Sequence, residues 1–138
     1  MAGTTLETAD RLSAVIVEDD STSRTLLRGI LRRCNVDVVG ESSLGRRGAE
    51  LVQQLRPVIA CLDIGLPDID GAELLASIKA ATPSVHVVMV TGVTASDRVR
   101  ATLAAGAVGY IVKPYTEARV RSTLQRLFPG LELDRANA

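Results

Sequence analysis

Val58-Ile59-Ala60-Cys61-Leu62-Asp63, running on into Ile64-Gly65-Leu66-Pro67-Asp68-Ile69-Asp70, is the stretch that decides the fold. Val58 to Leu62 is apolar without alternation, which reads as a strand covered on both faces. A parallel sheet with helices on either side provides that cover. The run stops abruptly at a carboxylate, Asp63, and Gly65 to Asp70 is turn chemistry around Pro67.

The same unit recurs on both sides of this stretch. Ala14-Val15-Ile16-Val17 is a short β-branched run closed by Glu18-Asp19-Asp20. From Ser21 to Cys34, the residues Leu26, Leu27, Ile30, Leu31 and Cys34 mark one helix face. Val36 to Val39 is a second strand. Leu51, Val52 and Leu55 mark a helix stopped by Pro57. Leu74, Leu75 and Ile78 mark a third helix, with Pro83 beyond its end. Val85 to Val90 is a strand leading into Thr91-Gly92, and Val99 and Leu103 mark a helix that Gly106 suits as a cap. Tyr110-Ile111-Val112 is the fifth strand, followed by Lys113-Pro114. Val120, Leu124, Leu127 and Phe128 mark the last helix, ended by Pro129-Gly130.

Five β–α units with right-handed crossovers give an α/β, doubly wound three-layer sandwich on a five-stranded parallel sheet. The folded unit is expected over 13–128, with a flexible N-terminal segment at 1–12 and a short tail at 129–138. No linker to a second domain is apparent, so the chain reads as stand-alone.

Composition narrows the function. The chain has 138 residues, the size of one domain with one core. Sixteen Lys plus Arg balance sixteen Asp plus Glu, so no global field points to nucleic acid or anionic membrane. Trp is absent and aromatics are scarce, which disfavours base-stacking platforms. No apolar stretch approaches the roughly 20 residues of a membrane span. The first residues lack the layout of a secretory signal, so a cytoplasmic location is expected. Cys34 and Cys61 have no metal-ligand spacing and read as reduced, buried thiols.

The chemistry lies at the strand ends. In open parallel sheets the ligand site sits beyond the carboxyl edge of the strands. Glu18, Asp19, Asp63, Thr91 and Lys113 all follow strands there. Clustered carboxylates repel unless a cation joins them. Mg²⁺ suits such a site because it takes oxygen ligands and often binds one or two carboxylates plus a phosphate. A carboxylate so placed can attack a phosphoryl donor. Each group also has a plainer explanation. Asp20 reads as the N-cap of the first helix. Thr91 alone is a turn residue, and Lys113 alone is surface decoration. Their coincidence at four strand ends favours a common site.

In these motifs the sequence resembles the receiver domain of bacterial response regulators, from about Ser13 to Phe128. The motifs are Val15-Ile16-Val17-Glu18-Asp19-Asp20, Leu62-Asp63-Ile64-Gly65-Leu66-Pro67-Asp68-Ile69-Asp70-Gly71, Val90-Thr91-Gly92, and Gly109-Tyr110-Ile111-Val112-Lys113-Pro114. The resemblance implies a CheY-like strand order 2-1-3-4-5. It implies that Asp63 is phosphorylated, with Mg²⁺ held by Asp19, Asp63, the Gly65 backbone carbonyl, and Glu18 through water. It implies that Lys113, Thr91 and Gly92 meet the phosphate. Thr91 would be the switch hydroxyl, Tyr110 the switch aromatic, and the bond to Pro114 cis.

As partners it implies a histidine kinase or histidine phosphotransfer protein upstream, and a downstream protein or a self-dimer. No direct contact with nucleic acid or membrane is expected. The chain would catalyse only its own aspartyl phosphorylation and dephosphorylation, not conventional turnover. Its signal would leave through the region of helix four, strand five and helix five.

Other functions are open to the same fold. A phosphoaspartate hydrolase would carry a second Asp at position 65, where this chain has Gly65. A module working without phosphate would not need the full acidic pair, Asp63 and Lys113. A flavin site would need a Ser/Thr/Gly-rich loop after strand one. His86 reads as structural. Arg24, Arg28 and Arg32 read as a solvated helix face, or else as a docking edge. Arg98, Arg100, Arg119 and Arg121 suit either solubility or an output surface.

Overall fold

The computed structural model describes residues 12–92 and 96–130. Strands β1 (Leu12–Val17), β2 (Val36–Ser42), β3 (Ile59–Asp63), β4 (His86–Thr91) and β5 (Gly109–Val112) alternate with helices. The helices are α1 (Ser21–Arg33), α2 (Gly45–Leu55), α3 (Gly71–Ala81), α4 (Ser96–Ala104) and α5 (Glu117–Leu127). All pairings are parallel, in the order β2-β1-β3-β4-β5. The doubly wound architecture expected from the sequence is therefore present. β1 begins at Leu12, one residue before the sequence boundary. β2 runs three residues past Val39, with a register shift opposite Ala14 and Val15.

Alternate residues of the central strands feed two cores. Ile16, Cys61, Val88 and Val90 pack with Leu27, Ile30 and Leu31 of α1 and Val120 and Leu124 of α5. Val17, Leu62, Val87 and Met89 pack with Val52 of α2, Leu74, Leu75 and Ile78 of α3 and Val99 of α4. This is why β1 and β3 read as unbroken apolar runs. Both cysteines are buried, and burial pushes the Cys61 thiol up to about 12.

The starts of α1, α2, α3 and α5 each have their own capping solution. Asp20 accepts from Ser23 N–H, Asp70 from Ala72 and Glu73 N–H, and Thr116 from Arg119 N–H. The N-cap of α2 is Leu44, which has no capping side chain. Asp68, from the loop after β3, serves instead. It accepts from Gly45 N–H at 2.8 Å and Arg46 N–H at 3.0 Å. Gly106 lies just past α4 with φ of +117°, the left-handed region that suits glycine.

Some sequence expectations need correction. The apolar periodicity places Leu26 on the buried face of α1, yet it is 44% exposed; Leu55 and Leu103 are exposed as well. Each lies at the margin of its apolar stripe, where the helix rolls away from the sheet. Arg24 and Arg28 do not form a free solvated face. Glu41 on β2 accepts from Arg28 at 2.8 Å and lies 3.5 Å from Arg24, while Arg32 stays exposed. His86 opens β4 rather than lying inside it. It is exposed, and its ring meets Phe128 edge-on at 5.3 Å.

Candidate phosphoacceptor site

The parallel register delivers the site. Val17 pairs with Leu62, Asp63 with Val90, and Thr91 with Val112. The residues that follow these strands, Glu18 and Lys113, therefore emerge beside Asp63 at one edge of the sheet. Ligand oxygens of Glu18, Asp19 and Asp63 lie within 4.8 Å of one another. Lys113 Nζ lies 2.8 Å from Glu18 Oε1 and 3.2 Å from Asp63 Oδ2. The Lys113–Pro114 bond is cis, as expected. Asp19 is exposed, which leaves it open to a cation from solvent.

Glu18 is only 1% exposed, yet its carboxylate is fully partnered. Oε1 meets Lys113 and the Tyr115 hydroxyl at 3.2 Å, and Oε2 accepts from Asp20 N–H at 3.1 Å. Arg24 donates to the Glu18 backbone carbonyl at 2.7 Å, fixing the turn from below. Gly65 N–H donates to Asp63 Oδ1 at 3.0 Å, so the Gly65 peptide is held against the Asp63 carboxylate.

Burial raises the Glu18 carboxyl above its ordinary value, against the pull of Lys113. Burial also acts to raise Asp63. Hydrogen bonding with Glu18, Gly65 N–H and Lys113 outweighs it, and Asp63 sits below the usual carboxylate range. Desolvation works to lower Lys113, but its two carboxylate partners raise it, so it stays an ammonium. Three carboxylates against one ammonium leave an acidic pocket. That donor set, all oxygen with one exposed carboxylate, fits a hard divalent cation such as Mg²⁺.

Thr91 is buried, and its hydroxyl donates to the Gly92 carbonyl at 3.0 Å. A Cβ at Gly92 would meet nothing within 4 Å, and one at Gly65 would meet only Asp63 Oδ1, at 4.0 Å. The space beside these two glycines is thus open. Tyr110 on β5 is 43% exposed. Beside it, Thr91, Val99, Arg100 and Leu103 line a cleft of about 300 Å³ between α4 and β5. Arg98 reaches from α4 to the Ile64 carbonyl at 3.2 Å and Asp70 at 3.1 Å, joining α4 to the loop after Asp63.

Glu18, Asp19, Asp63, Gly65 and Lys113 thus meet at one strand-end pocket, while Thr91, Gly92 and Tyr110 line the cleft between α4 and β5. Tyr115 and Arg24 were not singled out for the pocket. Tyr115 follows Lys113-Pro114 directly, and a polar aromatic at that point was the available signal. Arg24 could be placed on a helix face but not aimed at a carbonyl six residues back.

The fold and this edge define a doubly wound α/β domain with an acidic strand-end pocket. Residues 14–125 match the response regulator receiver domain. The chemotaxis protein CheY of Listeria monocytogenes is 33% identical over 115 residues, covering 83% of this chain and 97% of that protein. CheY of Thermotoga maritima is 28% identical over 113 residues, covering 82% and 94%. Two solved structures share the fold. The CheX–CheY–BeF3–Mg complex of Borrelia burgdorferi gives a TM-score of 0.80 at 24% identity, covering 85% of this chain and 89% of that one. The receiver domain of AraT, a response regulator of Geobacillus stearothermophilus, gives 0.77 at 22% identity, covering 84% and 92%. The chain belongs to the response regulator receiver family, the domain of two-component signalling that receives phosphoryl groups. Among the described residues, no helix is long and apolar enough to cross a membrane.

Proposed function

We propose that Asp63 accepts a phosphoryl group from a phosphohistidine of a kinase or phosphotransfer protein, with Mg²⁺ bound, and that the resulting acyl phosphate switches the α4–β5–α5 surface. The observation that carries this is the meeting of Glu18, Asp19 and Asp63 within 4.8 Å, with Lys113 on two of them. Asp19, Asp63 and the Gly65 carbonyl would hold the ion directly, and Glu18 through water. When bound, Mg²⁺ neutralises charge on the phosphoryl oxygens and aligns them.

The chain's own groups do the rest. Asp63, kept ionised, supplies the nucleophilic oxygen. Its new O–P bond forms as the donor's P–N bond breaks, and the released imidazole takes up a proton from solvent. Lys113 is already within reach of Asp63 and neutralises a transferring oxygen. The Thr91 hydroxyl, turned from the Gly92 carbonyl to the phosphate, supplies a hydrogen bond. Its departure lets Tyr110 turn inward toward the cleft between α4 and β5, which biases a two-state equilibrium. The domain thus acts once on itself per phosphoryl group and turns over no external substrate. Its site in the cytoplasm would be that of its kinase.

The Borrelia CheY neighbour, solved with BeF3 and Mg, supports this reading through its shared fold. The test is acetyl phosphate with Mg²⁺ on wild type and Asp63→Asn, read on a phosphate-affinity gel. A shifted band in wild type only is expected. Equal labelling of Asp63→Asn, or no labelling of wild type, refutes the assignment.

A further inference from the structure

Tyr115 sits in the α1–α5 core, 6% exposed, with its ring among apolar neighbours. Its hydroxyl nevertheless points at the acidic pocket and donates to Glu18 Oε1 at 3.2 Å. Phenylalanine would fill the same space, so packing does not account for the hydroxyl.

Glu18 Oε1 has two donors of different kinds. Lys113 Nζ, at 2.8 Å, rides a flexible four-carbon stem and also reaches Asp63 Oδ2 at 3.2 Å. The Tyr115 hydroxyl sits on a ring fixed by the core. Oε2 is held separately, by Asp20 N–H at 3.1 Å. When Lys113 turns to phosphoryl oxygens it slackens its hold on Glu18. A carboxylate that is 1% exposed needs another donor in its place.

We propose that Tyr115 is a positioning residue for phosphoryl transfer: its hydroxyl holds Glu18 Oε1 in place, freeing Lys113 for the phosphate while Glu18 stays aligned on the metal's water. The proposal rests on Glu18 serving Mg²⁺ through water, and deepens that reading. Partners that orient metal-binding groups typically matter 10- to 100-fold in metal affinity. One neutral hydroxyl belongs at the low end of that range.

The test is a double-mutant cycle on binding of Mg²⁺ alone, followed by amide NMR shifts or calorimetry. Tyr115→Phe is expected to weaken Mg²⁺ binding about tenfold in the wild-type background and by less than about twofold on Glu18→Gln. A merely structural tyrosine would act alike in both backgrounds. Affinity of Tyr115→Phe within twofold of wild type overturns the proposal, as does an equal loss on Glu18→Gln. If Glu18→Gln does not fold, Glu18→Asp, whose shorter side chain withdraws from the hydroxyl, serves under the same criterion. Wild type that fails to bind Mg²⁺ overturns the phosphoryl-transfer reading itself, so the two failures are separate.

Discussion

Alanine at Gly71 should destabilise the protein, while alanine at Gly29 should stabilise it. Both glycines lie in helices, α3 and α1. A Cβ at Gly71 would come 2.8 Å from Ile64 Cα and 2.9 Å from Ile64 O. Carbon atoms in contact prefer roughly 3.5–4.0 Å, so the gap is short by about 0.7 Å or more. Ile64 cannot retreat. Its N–H donates to Val90 O at 3.1 Å, and its carbonyl accepts from Arg98. The first turn of α3 must therefore shift. Overpacking of this kind costs about 1–3 kcal/mol, and alanine's better helix propensity returns at most about 1 kcal/mol. With the full propensity gain subtracted, the net loss is up to about 2 kcal/mol. At Gly29 the Cβ would meet only the flexible Arg33 guanidinium, at 3.5 Å. There the propensity gain of about 0.5–1 kcal/mol stands alone. Urea unfolding followed by circular dichroism measures both, because the chain has no tryptophan. A Gly71→Ala midpoint at or above wild type would refute the claim that Ile64 is immovable.

Two further outcomes follow from the loop after β3. Asp68 caps α2 from a distance, and its hydrogen bonds from Arg46 and Gly45 N–H hold its carboxyl below the usual value. The stability it contributes is full above its unfolded value and is lost as pH falls through the lowered folded value. Asp68→Ala should thus cost about 1 kcal/mol at neutral pH, and the gap should close below about pH 4; denaturation midpoints that stay parallel down to acid would contradict this. At Gly65, the open space beside Asp63 would leave the proposed acyl phosphate accessible to water. Larger side chains there should change the phosphate's lifetime after acetyl phosphate labelling, and unchanged decay in Gly65→Asn and Gly65→Met would reject the idea.

The strands were legible because β1, β3 and β4 are buried on both faces, and such runs are hard to mistake. The site was legible because its groups come straight off strand ends, so chain order alone brings Glu18, Asp63, Thr91 and Lys113 to one edge. What escaped were contacts between distant segments. Asp68 caps a helix that starts 23 residues earlier, across an intervening strand. Arg28 finds Glu41 on the edge strand, and Tyr115 reaches Glu18 from 97 residues away. No local spacing encodes such pairings. The exposed Leu26 and Leu55 show the related limit: periodicity identifies a stripe but not how far it wraps.

The sheet partitions the interior into two compartments that share backbone but not side chains. Ile16 faces one and Val17 the other; the same holds for Cys61 and Leu62. Sequence neighbours are thus mechanically insulated, while Ile16 and Cys61, adjacent across the ladder, share one packing problem. Truncations at Val17 and Cys61 should sum, whereas those at Ile16 and Cys61 should interact. The half lined by α1 and α5 can consequently drift in evolution without obliging the half beneath α2, α3 and α4 to follow.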